Sequence, residues 1–314
     1  MKHVRRIVRT VLFLSFIGPL ISIAGELDEE RLRAEVTDSL PRLRNAISNI
    51  DVEYQVTTEL LHKTPSKTSR RMRRYYTDFE NRFAKVDMAA DDTDLKGIEV
   101  WNPQYSALLE VRDSAISIAS LEKLAPSDAR ILLEEAAWGL SVGFRFDSVF
   151  VGDLFEQSEF TLVKIETDSD RDRVKAVWTW NVERAPQSKI EIVFAPSTDW
   201  AIVSLTLRHP QGDMTREIAY QPFQGSFVPK KIVQSDFFPN SKTVAARDTI
   251  LFSAPSTNTC DEKMYYLSGY GLSEPVFDNA SMAFRIAVFI SGLILIAGAI
   301  YLFGRKRPTH RAHK

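Results

Sequence analysis

The chain has 314 residues, with 40 lysines and arginines against 41 aspartates and glutamates, a net charge of −1 and 44% hydrophobic residues. Its charges are interspersed along the sequence and neither half is strongly basic, so it lacks the electrostatic footprint of a nucleic-acid binder. Cys260 is the sole cysteine, which excludes an intrachain disulfide and leaves the fold to stand on its core.

The chain opens with Lys2, Arg5, Arg6 and Arg9, followed by the apolar run Val11 to Ala24, with small residues at Ser22 and Ala24. This pattern predicts a signal peptide over 1–25, cleaved after Ala24 or Gly25, with an uncleaved anchor as the alternative. Residues 26–254 then read as one β-rich domain. Leu32, Val36, Leu40, Leu43, Ile47 and Ile50 recur at three- and four-residue intervals, the stripe of an amphipathic helix. Pro41 lies inside that stripe and is expected to kink the helix or to split it after Asp38-Ser39, which could cap a second segment.

From Asp51 the period changes to two. Val52, Tyr54, Val56 and Thr58 share one face of a strand, and the alternation returns at Val174, Ala176, Trp178, Trp180 and Val182, at Ile190, Ile192 and Phe194, and at Ala201, Val203, Leu205 and Leu207. Further strands are expected over 71–76, 83–86, 97–101, 160–166, 217–220, 228–236 and 243–252. Pro126-Ser127-Asp128 opens a helix over 129–140. The expected fold is α+β, a curved antiparallel sheet covered by helices.

The C-terminal third ends differently. Residues 255–284 read as a stalk. Ile286 to Phe303 is an uninterrupted apolar run without charge or proline, long enough to cross a bilayer as a helix over 285–304. Arg305, Lys306, Arg307, Arg311 and Lys314 follow it, so the basic-residue bias places the tail, 305–314, in the cytoplasm and the domain outside. The expectation is a single-pass protein of a bacterial inner membrane with its N-terminal domain in the periplasm.

The helix running into N-I-D-V-E-Y-Q-V-T-T, the pair R-R-M-R-R-Y-Y and N-R-F-A-K-V, and K-G-I-E-V-W-N-P give the chain a pattern that resembles the bacterial lipoprotein-localisation carriers and their sigma-regulator relatives. The resemblance covers about 27–252. It implies a half-barrel whose concave face encloses an apolar cavity for acyl chains or a lipoprotein partner. The carriers usually lack a C-terminal membrane helix, and this chain departs from them there. A second resemblance is to bacterial envelope proteins carrying a Y-G-L-P-E-P-like segment before a membrane helix. Here the segment reads Tyr270-Gly271-Leu272-Ser273-Glu274-Pro275.

Catalytic patterns are sparse. There is no H-E-x-x-H or paired C-x-x-C, and outside the termini the histidines are His62 and His209. The expectation is a non-catalytic protein with no cofactor and no metal. Asp87, Asp91, Asp92 and Asp94 do not have the spacing of a calcium loop and read as a solvated turn. Two sets of residues are binding candidates. Trp178, Trp180, Phe194, Trp200 and Phe223 could line a ligand cavity, although aromatic residues at period two also build any sheet core. Arg70, Arg71, Arg73, Arg74 and Arg82, with Lys85, could form a basic strip that meets headgroups or an acidic partner, or could be the wet face of a strand. Two functions follow: a membrane-tethered domain that binds lipid, lipoprotein or apolar peptide, or a structural or signalling partner protein with a filled core.

Overall fold

The structure, a computed structural model, describes residues 27–277 apart from 64, 91–95, 125–137, 147–148, 169–171 and 183–184. The predicted signal peptide, the apolar run Ile286 to Phe303, the basic tail, the acidic turn at 91–94 and most of the helix expected over 129–140 lie outside the described residues. Among the described residues, no helix is long and apolar enough to cross a membrane.

Helix α1 spans Glu29–Ala46. Asp28 caps it by accepting a hydrogen bond from the Arg31 amide at 2.9 Å, and Glu29 and Glu30 suit the positive end of its dipole. Of the two outcomes expected at Pro41, the split does not occur, since the helix continues through it and the Ser39 hydroxyl donates to the Val36 carbonyl at 2.7 Å rather than capping a new segment. Pro41 faces solvent, so its ring meets water while Leu32, Val36 and Leu43 stay buried beside it. The helix end is fastened to the sheet. Thr77 donates to the Ile47 carbonyl at 2.6 Å and accepts from the Ile50 amide at 3.2 Å.

Thirteen strands form one antiparallel sheet in two meanders. The first contains β1 (Asp51–Leu60), β2 (Lys67–Asp78), β3 (Phe83–Ala90), β4 (Lys96–Trp101), β5 (Tyr105–Arg112) and β6 (Ala115–Lys123). A short helix α2 (Trp138–Ser141) and the two-residue strands β7 (Arg145–Phe146) and β8 (Val149–Phe150) lie in the connection. The second meander contains β9 (Phe160–Thr167), β10 (Val174–Val182), β11 (Ala185–Ala195), β12 (Ala201–Arg208), β13 (Met214–Phe223), β14 (Ser226–Phe237) and β15 (Val244–Phe252). They meet where β1 pairs with β15, with Tyr54 opposite Phe252. The sheet edges are β6 and β9, so the chain between them must travel from one edge to the other. The described part of that connection, from residue 138, lies over the concave face. Gly139 lies against Phe252 and Tyr75, the Gly143 carbonyl accepts from the Ile202 amide at 2.8 Å, and Phe146 meets Trp180 edge to face.

Bulges at Val177/Trp178, Val193/Phe194, Ala219/Tyr220 and Asp236/Phe237 bend the strands so that they curl around this crossing segment and α1. Helix α1 packs across β12 and β14, and the resulting core holds Trp178, Phe194, Ile190, Ile192 and Leu32 with no exposure. β5 and β6 were not anticipated from the sequence.

Residues 255–277 correct the expectation of a stalk, because they pack against the outer face of the sheet. Leu267 joins Val100, Tyr105 and Leu109 in a second apolar cluster. Asn102 donates to the Tyr265 carbonyl at 2.9 Å, and the Tyr105 hydroxyl donates to Glu274 at 2.6 Å. Glu274 also accepts from the Ser268 amide at 2.6 Å, which folds the Tyr270 to Pro275 motif into a clip. Two glycines permit the clip: a Cβ on Gly269 would lie 2.2 Å from the Lys263 carbonyl oxygen, and Gly271 adopts φ 74°.

Candidate binding cleft

The concave face is apolar at one end of the strands and polar at the other. In register across four neighbouring strands lie Val56, Ile250, Ile232 and Ile218, and two residues further along each strand, on the same face, lie Thr58, Asp248, Gln234 and Arg216. This polar row faces the interior, where an ordinary sheet would continue its apolar pattern. Arg216 is only 5% exposed, and its guanidinium donates to Gln234 Oε1 at 3.2 and 2.9 Å. Gln234 in turn donates to Asp236 at 3.3 Å. Oδ1 of Asp248 is buried without a hydrogen-bond partner. A buried acceptor left without a partner is costly.

Two cavities flank the row and share Gln234. One, of about 240 Å³, lies between β1, β2, β14 and β15 and is lined by Tyr54, Val56, Arg71, Arg73, Asp248 and Ile250 among others. The other, of about 540 Å³, is bounded by Phe146, Trp180, Leu207, His209, Met214 and Arg216. The lining thus combines aromatic and aliphatic walls with a small number of charged and amide groups, the composition of a site for an amphipathic molecule. Burial, followed by the nearby Asp248 charge, raises the Asp236 carboxyl above its ordinary range despite the Gln234 hydrogen bond. Glu99, facing Arg73, is raised by burial as well.

Of the five aromatic candidates, Trp180 lines the larger cavity. Trp178 and Phe194 are fully buried in the packed core, where Trp178 also meets Phe155 edge to face. Trp200 and Phe223 pack partly buried against the same core. The basic candidates are divided between the two faces by strand parity. Arg71 and Arg73 line the smaller cavity, whereas Arg74 faces outward and holds Asp51 through two hydrogen bonds of 2.8 Å. Arg70 is exposed on β2, and Arg82 sits exposed in the β2–β3 turn with φ 61°. Lys85 is buried on the outer face against Asp87. The sequence reading missed the polar row. Its signal was the replacement of Ile by Asp, Gln and Arg at inward positions of three strands.

His209 lines the larger cavity and accepts from the Gln211 amide at 3.1 Å, and His62 lies 3.1 Å from the Ala245 carbonyl. Among the described residues neither histidine has a serine or carboxylate hydrogen-bond partner, and no cluster of ligating side chains could hold a metal ion.

No protein-family model and no curated protein matches the sequence. Among solved structures, the chain is similar to a domain from Vibrio parahaemolyticus described as an outer membrane lipoprotein-sorting protein, at 9% identity over 76% of this chain and 100% of that one, with a TM-score of 0.43. It is similar to a LolA-superfamily protein from Nitrosomonas europaea at 11% identity, covering 74% of this chain and 96% of that one, with a TM-score of 0.41. A DUF1329 family protein from Desulfovibrio piger aligns at 9% identity over 76% and 98% of the two chains, with a TM-score of 0.43. These are partial likenesses of shape.

Proposed function

We propose that this protein is a non-catalytic binding domain that takes an amphipathic ligand, a lipid or the acylated end of a lipoprotein, into the cleft at the polar end of its concave face. The observation that supports this reading is the pair of cavities meeting at Gln234, with apolar walls on both sides of an interior polar row. The apolar walls suit a chain, and a headgroup would meet donors at Arg71 and Arg73 beside the row and an acceptor at Asp248 within it. We further propose that Ile286 to Phe303 tethers the domain to a bacterial inner membrane with the cleft outside.

Native mass spectrometry and organic extraction of residues 27–277, purified without detergent, test the binding reading. A stoichiometric amphiphile is expected, and Gln234→Trp, which fills the space shared by the two cavities, is expected to eliminate it. An apo mass that persists when lipids are offered contradicts the proposal.

A further inference from the structure

A third cavity, of about 540 Å³, lies on the opposite face of the sheet, between β2–β5 and the C-terminal clip. Met72, Ile98 and Val111 line it from the strands, and Met264 and Tyr270 line it from the clip. Ala89 is its floor. It stands in register between Met72 on β2 and Lys96 on β4, with Val111 beyond, so its small side chain leaves room under the clip. The volume is within the range of small-molecule sites, and flexible methionines on both walls adapt to a chain of variable shape.

The surrounding charges are unequal. Arg74 is held by Asp51 and Lys85 by Asp87, at 2.8 and 2.9 Å. Lys96 is exposed and makes no ion pair among the described residues, so it is available to a headgroup at the rim. Tyr270 and Ile98, which line the cavity, also belong to the apolar cluster that seats Phe277. Only residues 278–285 separate Phe277 from the apolar run beginning at Ile286. Eight extended residues reach at most about 28 Å. A bilayer spanned by that run would therefore lie within one short tether of the cavity.

We infer that the outer-face cavity is a second site, for one acyl chain of a membrane lipid, placed there by the clip. This inference rests on the proposed membrane tether; the outer cavity and the concave cleft lie on opposite faces of β2, where Tyr75 points into the main core and Tyr76 into the outer cavity, and Arg73 borders both.

The test uses the full chain in phosphatidylglycerol–phosphatidylethanolamine vesicles doped with a phospholipid carrying a diazirine near its acyl terminus. After irradiation, labelled peptides are mapped by mass spectrometry. Label is expected on the β3 peptide and on the peptide containing Met264, as well as on Ile286 to Phe303. Ala89→Trp should eliminate the first two and preserve the third; Met72→Gln, a milder change on an outward-facing strand position, serves if the tryptophan variant does not fold. A labelled apolar run without outer-face label, or outer-face label that survives both substitutions, overturns the inference. An unlabelled apolar run overturns it through its membrane premise. Label on β10 or β14 reports separately on the concave cleft.

Discussion

The two halves of the concave face are built from the same strands and differ by one two-residue step along each of them. Ile218, Ile232 and Ile250 are at most 6% exposed and belong to the core under α1. Their neighbours Arg216, Gln234 and Asp248 line open space. The apolar half is arranged to hold the fold together, with side chains interlocked around Trp178 and Phe194. The polar half gives up that packing and borders cavities instead. Where a sequence breaks its own pattern inside an otherwise consistent core, a functional constraint is the economical cause.

The contrast can be tested by substitution, beginning with the largest effect. Trp178→Ala in the filled half should destabilise the fold by about 3–5 kcal/mol in denaturant titrations, the cost of losing a fully buried aromatic. Pro41→Ala should stabilise α1 by up to about 3 kcal/mol, since the helix already runs through this position and alanine restores an amide donor, and thermal unfolding would show the rise. Thr58→Val in the polar row should alter stability by only about 0.5 kcal/mol while making the cleft more apolar. If Thr58→Val cost as much as Trp178→Ala, the polar end would have to be counted as packed core.

The contrast also extends to pH, where the inner and outer surfaces have opposite signs. On the outer surface burial acts to raise the Glu191 carboxyl, but hydrogen bonds from Lys175 and Lys189 outweigh it and hold the group at about 2. The unfolded chain then binds the proton more readily than the folded one, so this contribution is present above the ordinary carboxylate value and is lost as pH falls toward about 2. Glu191→Gln should flatten that part of the acid-unfolding profile. Asp236, raised by burial in the polar half, works in the other direction: its contribution is largest in acid and declines as pH rises through its folded value. Asp236→Asn should therefore reduce the decline in stability toward neutral pH, measured by chemical denaturation across the range.

Much of the fold was readable in the sequence because its signals are local and periodic. The stripe from Leu32 to Ile50 and the alternations at 174–182 and 190–194 mark the buried faces, and strands 71–76 and 83–86 fall inside β2 and β3. In the β5–β6 hairpin, β6 escapes the sequence pattern because it is an edge strand exposed along most of its length, whereas β5 does alternate in burial. Of the two outcomes expected at Pro41, the split does not occur, because tertiary packing of Leu32, Val36 and Leu43 holds the helix through it. The clip was read as a stalk because its contacts are non-local: Tyr105 and Glu274 are 169 positions apart. Site legibility followed the same division. Tryptophans attract attention in a sequence, but whether one lines space or fills it depends on the segment crossing the sheet, so Trp180 and Trp178 could not be separated by type. The polar row needed the pairing register of β1, β15, β14 and β13, which single-strand periodicity does not supply.

Asp248→Leu is the substitution that tests the central claim most directly, with thermal stability and amphiphile uptake measured on the same preparation. If the polar row is maintained for a ligand at the expense of packing, replacing the unpaired carboxylate should raise the melting temperature and reduce uptake together. A fall in melting temperature with uptake unchanged would contradict the account and make Asp248 a structural residue of the core.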